Sequence, residues 1–170
     1  DKVEKNNQTE TKPAMSACQR AEHAQNLAQK SMYVAIGAGL VPIPVFDFVA
    51  VTGVQLEMLR RLSKLYDVPF STHAGKNVLG ALVGGGVPTV VSPFVASTVK
   101  IIPLVGFTLG AVSMPVIAGA TTYAIAKVFI QHFESGGTFL TFDPKTVKEY
   151  YSEKLKEGIQ LAQSAQNKAA

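Results

Sequence analysis

Few side chains in this sequence have the types and spacing that an enzyme site requires. The three histidines, His23, His73 and His132, are far apart, and none belongs to an H-E-x-x-H or comparable metal-ligand pattern. Cys18 is the single cysteine, so the chain can form neither an internal disulfide nor a thiolate metal cage. The pair Gly75-Lys76 lacks the other residues of a phosphate-binding loop. We therefore expect no catalytic residues, no metal site, no cofactor and no enzymatic activity.

Two carboxylates, Asp47 and Glu57, are the only acidic residues between Glu22 and Asp67. Asp47 follows a proline-rich turn, so it falls in the first turn of the next helix, where a carboxylate can accept hydrogen bonds from free backbone N–H groups. That structural role is the first interpretation. The alternative is an ionisable group in a membrane pathway, which would make the protein a small transporter or channel subunit.

The composition describes an unusually apolar chain. Of its 170 residues, 47% are hydrophobic and only 16% are charged, whereas an ordinary soluble domain has about 25% charged residues. The charges crowd both ends of the sequence, which is typical of membrane insertion or of a deeply buried core. The net charge of +4 is modest, and Arg60, Arg61 and Lys64 form the only short basic cluster. Nucleic-acid binding is therefore not expected.

The residue pattern predicts one all-helical domain over residues 14–166, between a disordered polar tail at 1–13 and a short tail at 167–170. Residues 14–66 are predicted to form an amphipathic helical hairpin. Its two helices are separated at Val41-Pro42-Ile43-Pro44 (VPIP), because proline interrupts a helix but suits the first turn of the next one.

A second, apolar hairpin is predicted over residues 78–133. The runs 78–99 and 101–126 contain no charged residue, and each exceeds the roughly 20 residues that cross a bilayer. We expect Pro115 to kink the second run, and its glycines, Gly106, Gly110 and Gly119, to let another backbone approach closely. The alternative is the buried centre of a soluble helical bundle. Insertion is favoured because only two or three mostly polar helices remain to cover both runs.

The last part of the chain is predicted to return to the membrane surface. After Phe133 the chain is predicted to turn at Ser135-Gly136-Gly137, and residues 138–142 are predicted to form a short strand or an extended connector. Asp143 and Pro144 then predict the N-cap and first turn of an amphipathic helix over 143–166. Basic residues flank the apolar hairpin, and only Lys100 lies at its tip, so both termini are expected on the cytoplasmic side.

Several motifs resemble those of the DUF697 family. The family pairs a G-x-[IVL]-P-[IVL]-P turn with a following aspartate, a Gln-x-x-Met step and a tyrosine-glycine ending, and Asp67 stands here in place of that glycine. A K-x-[IV]-P-x-x-G turn and an F-x-x-G-G step also have counterparts. The matching positions are Pro42, Pro44, Asp47, Gln55, Met58, Tyr66, Lys100, Pro103, Gly106, Gly136 and Gly137.

The resemblance implies a helical, membrane-associated bacterial domain with no catalytic residues. Many family members are fused behind a GTPase domain, so a GTPase on another chain is a possible partner here. Asp47 and Gln55 are expected to fix the turn of the first hairpin. Our leading hypothesis is a scaffold embedded in the bacterial inner membrane that self-associates and organises the bilayer or docks a GTPase. A transporter subunit that uses Asp47 and a soluble helical oligomer are the alternatives.

Overall fold

The computed structural model describes residues 15–40, 44–83 and 113–169, with only the backbone at 44–48. These residues form five helices and no strand, so the predicted all-α class is confirmed. The helices are α1 (Ala17–Ala38), α2 (Pro44–Leu65), α3 (Thr72–Val83), α4 (Met114–Glu134) and α5 (Lys148–Ala169). The predicted disordered tail, the centre of the VPIP turn and the middle of the predicted apolar hairpin lie outside the described residues.

The ends of α1 and α2 have local causes in the sequence. Ser16 accepts a hydrogen bond from the backbone N–H of Gln19, whose side chain accepts one from the backbone of Ser16, which is a capping box. Helix α2 begins at Pro44 and ends where Asp67 takes a left-handed conformation with φ of 55°. The N–H of Val68 then donates to the carbonyl of Ser63 at 2.8 Å, closing a Schellman-type cap.

Helix α4 is the central helix, and it packs against α1, α2 and α5. It begins at Met114 after an extended Ser113, so Pro115 lies in its first turn. The predicted kink at Pro115 is therefore wrong: proline is tolerated there because the first-turn N–H groups have no helical partner. The helix continues through Lys127 and ends at Glu134, and the predicted turn follows at residues 135–137.

The connection from α4 to α5 differs from the prediction. Residues 138–142 form no strand; residues 139–141 are bends, and Phe139 among them is buried in the core. Asp143 does not cap α5, which begins five residues later at Lys148. The carboxylate of Asp143 accepts a hydrogen bond from the N–H of Lys145 at 2.9 Å instead. The Asp-Pro pair thus stabilises a separate turn, and α5 extends to Ala169, three residues beyond the predicted end.

Contacts between side chains give the directions of the four long helices. Gln55 of α2 lies beside Thr122 of α4, and Tyr66 lies beside Glu134, so α2 and α4 run parallel. Helix α1 runs the opposite way, since Gln25 lies beside Lys127 and Gly39 lies beside Pro115. Helix α5 does so too, as the pairs Tyr123–Glu157 and Ser113–Gln166 show. One end of the bundle therefore holds the last turns of α1 and α5 with the first turns of α2 and α4.

Candidate functional site

The chemistry-bearing side chains of the described residues are not gathered into a reactive cluster. No three histidine, cysteine, aspartate or glutamate side chains in this part of the chain could hold a metal ion together. Cys18 and His23 are exposed on α1, and His73 is exposed on α3. His132 lies with its Nε2 atom 2.8 Å from the carbonyl oxygen of Thr138, which gives it a structural partner. The candidate site is therefore sought in surfaces and polar contacts.

Gln55 is buried between two helices and does not lie at the turn of the first hairpin. Its amide donates to the hydroxyl oxygen of Thr122 at 3.2 Å and to that of Thr121 at 3.5 Å. Both threonines donate in turn to backbone carbonyls of α4, including that of Ala118. Gln55 thus joins α2 to α4, and Met58, one turn further, is buried in the core.

Two motifs of the family pattern that are far apart in sequence meet at the end of the bundle that holds the last turns of α2 and α4. The hydroxyl of Tyr66 donates to the carboxylate of Glu134 at 2.9 Å, and its ring centroid lies 5.9 Å from that of Phe133. Burial, followed by this hydrogen bond, raises the pKa of Tyr66 above its usual value. The F-x-x-G-G step therefore begins beside Tyr66, so the two motifs fix one helix–helix contact.

The paired glycines after α4 close its end. Gly136 has φ of 82°, and the N–H of Gly137 donates to the carbonyl of His132 at 2.9 Å, as in a Schellman motif. A side chain on Gly137 would collide with the imidazole ring of His132. The motif thus needs a left-handed conformation at its first glycine and open space at its second.

The remaining motif positions are only partly described. Pro44 is the first residue of α2, and Asp47 lies within its first turn, as the sequence predicts. Pro42, Lys100, Pro103 and Gly106 lie outside the described residues. The proposed roles of Asp47, in the turn or in a membrane pathway, both stay predictions.

Most charged residues of the four long helices lie at one end of the bundle; the exceptions are Asp47 in the first turn of α2 and Lys168 in the last turn of α5. Towards the opposite end, residues 31–40, 48–56, 113–126 and 158–167 contain no aspartate, glutamate, lysine or arginine, and this region is here called the charge-free end. Asp47 and Lys168 lie just beyond it, at the tip of the bundle. The charged end consists of residues 17–30, 57–67 and 127–157. Because the helices alternate in direction, four uncharged stretches that are far apart in sequence come together at one end.

The exposed surface changes character at the same level. On α1, exposed polar residues up to Lys30 are followed by Tyr33, Val34 and Leu40, which are 56%, 57% and 63% exposed. On α2 the order is reversed, since exposed Val49 and Gly53 precede the exposed residues of the charged end. A surface helix of a soluble protein normally keeps its outward face polar along its whole length.

A network of polar contacts marks the boundary between the two ends. The hydroxyl of Tyr123 donates to the carboxylate of Glu157 at 2.6 Å, and the ammonium of Lys154 lies 2.8 Å from the same carboxylate. The hydrogen bond from Lys154, and then that from Tyr123, lowers the pKa of Glu157. Lys127 donates to the side-chain oxygen of Gln25 and lies over the ring of Tyr123.

Helix α5 contributes amides to the charge-free end. A cavity of about 360 Å³ lies between the start of α4 and the last turns of α5. Its lining consists of Ser113, Val116, Gln163, Gln166 and Asn167. Ser113 donates to the side-chain oxygen of Gln166 at 3.0 Å, so the lining polar groups partly satisfy one another.

Helix α4 is long and apolar enough to cross a membrane, judged by length and composition. It is the single such helix among the described residues, and 72% of its most apolar window is buried within the bundle. A buried helix of this kind also occurs at the centre of soluble proteins.

Comparison with known proteins gives a family and a relative. The chain is 43% identical over 140 residues to magnetosome membrane protein 22 of Magnetospirillum gryphiswaldense (strain MSR-1), covering 82% of this chain and 72% of that protein. No solved structure is significantly similar to it. The sequence profile of the domain of unknown function DUF697 matches residues 4–158, and the chain therefore belongs to the DUF697 family.

Proposed function

We propose that this protein is a non-enzymatic, membrane-associated scaffold. The observation that carries the proposal is the charge-free end, where an uncharged stretch of each long helix lies between the charged end and the tip with Asp47 and Lys168. Contiguous exposed apolar surface is unfavourable in water and commonly marks an interaction site. The relative's description as a magnetosome membrane protein supports a membrane as the partner.

The burial of α4 limits what that helix contributes to the proposal. Its apolar side chains are largely covered by α1, α2 and α5, so its composition is explained by packing within the chain. The proposal therefore rests on the outer surface of the bundle. Insertion of the predicted hairpin over 78–133 remains a prediction, since residues 84–112 lie outside the described part.

The charged end would face the cytoplasm of a bacterium, at the inner membrane. Positively charged residues near a membrane are retained on that side, and exposed Arg60 and Arg61 lie on α2 at this end. A separate GTPase, or a second copy of the chain, would dock there as the scaffold's partner. The resemblance to GTPase-linked family members motivates this part of the proposal.

Membrane fractionation tests the membrane association. The expressed full chain is expected in the membrane pellet, resistant to alkaline carbonate and released by detergent. A protein that remains in the supernatant without detergent would contradict the proposal and favour the soluble helical oligomer.

A second experiment separates a scaffold from a transporter subunit. For a scaffold, the Asp47→Asn variant keeps its function wherever its expression and assembly are normal. Loss of function at normal expression and assembly would favour an ionisable group in a pathway.

A further inference from the structure

We infer that the bundle lies on its side against an anionic bilayer surface, which it contacts through one face of α1 and α2. That face, here called the α1–α2 face, consists of the exposed residues Tyr33, Val34, Gly37, Leu40, Val49 and Gly53. The inference rests on the proposed membrane association and names the surface responsible for it. It assigns the contact to the first hairpin and leaves α5, for which the sequence predicts a return to the membrane, in water.

Helices α2 and α5 lie on opposite sides of α4. Thr121 of α4 contacts Gln55 of α2, and Tyr123 of α4 contacts Glu157 of α5. Positions two residues apart on a helix point about 200° apart. Helix α1 packs against both α2 and α4. The exposed sides of α1 and α2 therefore adjoin each other, whereas α5 is separated from α2 by the central helix.

The exposed apolar side chains of the charge-free end are concentrated on the α1–α2 face. Each of its four large hydrophobic residues is more than half exposed. At the same level, α5 exposes amides such as Gln160 and Asn167, and its one exposed large hydrophobic residue, Leu161, is only 39% exposed. Contiguous exposed apolar surface marks an interaction site, so such a site is expected on α1 and α2 and not on α5.

Charge complementarity favours an anionic bilayer as the occupant of this face. The exposed charges nearest to it on α1 and α2 are four basic residues and one acidic residue, a net charge of +3, namely Lys30, Glu57, Arg60, Arg61 and Lys64. The nearest charges on α5, within residues 153–157, are two lysines and two glutamates, which cancel. Each basic residue near an anionic membrane adds attraction. A second copy would bring the same positive charge to the face, which disfavours it as the occupant.

The two charges at the tip of the bundle are compatible with the side-on orientation. Lys168 lies in the last turn of α5, on the other side of α4 from α2. Asp47 lies 11 residues, about three turns, before the buried Met58, so its position falls on the inward side of α2. Neither residue belongs to the α1–α2 face. Insertion of the whole tip would carry both charges into hydrocarbon, which is costly.

The expected depth is that of an amphipathic helix at the membrane interface. Such a helix lies in the plane of the membrane and buries its apolar side about 5–10 Å, at the boundary of headgroups and acyl chains. Tyr33 suits this level, because tyrosine is enriched among headgroups. Lys30, one turn away on α1, can extend its ammonium to the phosphates while its stem covers apolar surface.

The test uses the full chain, with Cys18→Ser, and vesicles of phosphatidylcholine and phosphatidylglycerol. Single cysteines introduced by Val34→Cys, Val49→Cys and Leu161→Cys are labelled with an environment-sensitive fluorophore. Lipids with a nitroxide near the headgroup are expected to quench the labels at 34 and 49, and lipids with a nitroxide at the chain end are expected to quench them less. The label at 161 is the matched control, since Leu161 is an exposed apolar residue at the same level on α5, and it should not be quenched.

Glutamate substitutions give an independent readout of the same face. Val34→Glu and Val49→Glu should each lower the affinity for these vesicles about tenfold, because a carboxylate loses the apolar contact and is repelled by anionic lipid. Leu161→Glu should leave the affinity unchanged. All three side chains point into solvent, so the helix content measured by circular dichroism should be preserved in each variant.

The contribution of the basic residues is tested separately. Lys30→Gln and Lys64→Gln should each lower the affinity about fivefold, and less when vesicles of phosphatidylcholine alone are used. Lys156→Gln is the control, since Lys156 is exposed on α5, and it should have no effect. Equal losses in all three lysine variants would show that only the net charge of the chain matters and would contradict the assignment to one face.

The outcomes separate this inference from the proposed function. If the full chain does not bind vesicles, both fail. If it binds but the labels at 34 and 49 are not quenched, or the label at 161 is quenched equally, membrane association stands and the α1–α2 face is the wrong surface. If the labels at 34 and 49 are shielded without lipid, the lipid assignment is overturned. Shielding that depends on protein concentration would then identify a second copy as the occupant, and shielding that does not would identify the chain itself.

Discussion

The two ends of the bundle are packed by different means. At the charge-free end, helices approach each other through small residues: a Cβ atom on Gly158 would lie 2.9 Å from the carbonyl oxygen of Ala120, and one on Gly39 would lie 2.9 Å from the Cα atom of Pro115. At the charged end, aromatic rings gather around Phe129. Close contact of small residues suits helices in lipid, where no hydrophobic effect drives them together. Burial of large rings suits an end surrounded by water.

The largest effect is expected at the aromatic end. Phe129 is fully buried, and its ring centroid lies 4.8 Å from that of Phe142 and within 5.6 Å of those of Phe133 and Phe139. The Phe129→Ala substitution should lower the free energy of unfolding by about 3–5 kcal/mol, because it removes buried area and leaves a cavity. Urea unfolding followed by circular dichroism measures this change.

Leu140→Ala is the control for that prediction. Leu140 is a large apolar residue at the same end, but its side chain is almost fully exposed. Its removal should change the free energy of unfolding by less than about 0.5 kcal/mol. Equal effects of the two substitutions would show that the ring cluster does not stabilise the charged end.

The sequence predicts the helices better than it predicts the surface. The proline at position 44 and the Gly-Gly pair after Glu134 give correct helix ends because their backbone preferences act locally. The Asp143-Pro144 signal misplaces the start of α5, since the same residues can equally stabilise an isolated turn. Pro115 is misread because a charge-free run does not reveal where its helix begins.

The candidate surface could not be predicted from the sequence alone. Each uncharged stretch is visible in the chain, but its neighbours depend on the directions of four helices, and those directions follow from contacts such as Gln55–Thr122 and Tyr123–Glu157. The role of Gln55 is missed for the same reason, because its partners on α4 lie more than 60 residues away.

The small-residue packing of the charge-free end is tested by Gly158→Val. The new side chain would meet the backbone of Ala120, which cannot move aside as a flexible side chain can, so α5 must shift from α4. Overpacking of this kind should lower the free energy of unfolding by about 1–3 kcal/mol. Urea unfolding in detergent micelles measures the loss.

Gly53→Ala is the matched control, since Gly53 lies within α2 and a Cβ atom there would meet nothing within 4 Å. Alanine is favoured over glycine inside a helix, so this variant should be more stable by about 0.5–1 kcal/mol. If Gly158→Val were as well tolerated, the close approach of α4 and α5 would not be what holds the charge-free end together.

Substitutions in the C-terminal caps of α2 and α4, both at the charged end, should have smaller effects of opposite sign. Asp67 holds the left-handed position that closes α2, which disfavours residues with a Cβ atom, and Gly136 holds the equivalent position after α4. Asp67→Gly should therefore raise the midpoint of thermal unfolding, by a gain of up to about 1 kcal/mol. Gly136→Ala should lower it by about the same amount. Changes of the same sign in both variants would contradict the common cap geometry.

The smallest expected effect is a loss of folding stability at alkaline pH, caused by the ionisation of Tyr151 at the charged end. Burial raises the pKa of Tyr151 to about 12, whereas the unfolded side chain ionises near pH 10. Its contribution to stability is therefore complete below pH 10 and is lost as the pH rises through 10 to 12, by roughly 0.4 kcal/mol at pH 10. Tyr151→Phe should flatten the fall in the free energy of unfolding between pH 9 and 10, measured by urea unfolding in micelles. An unchanged slope would mean that Tyr151 ionises as freely in the folded protein as in the unfolded chain, and that the aromatic end is less closely packed against α5 than its contacts indicate.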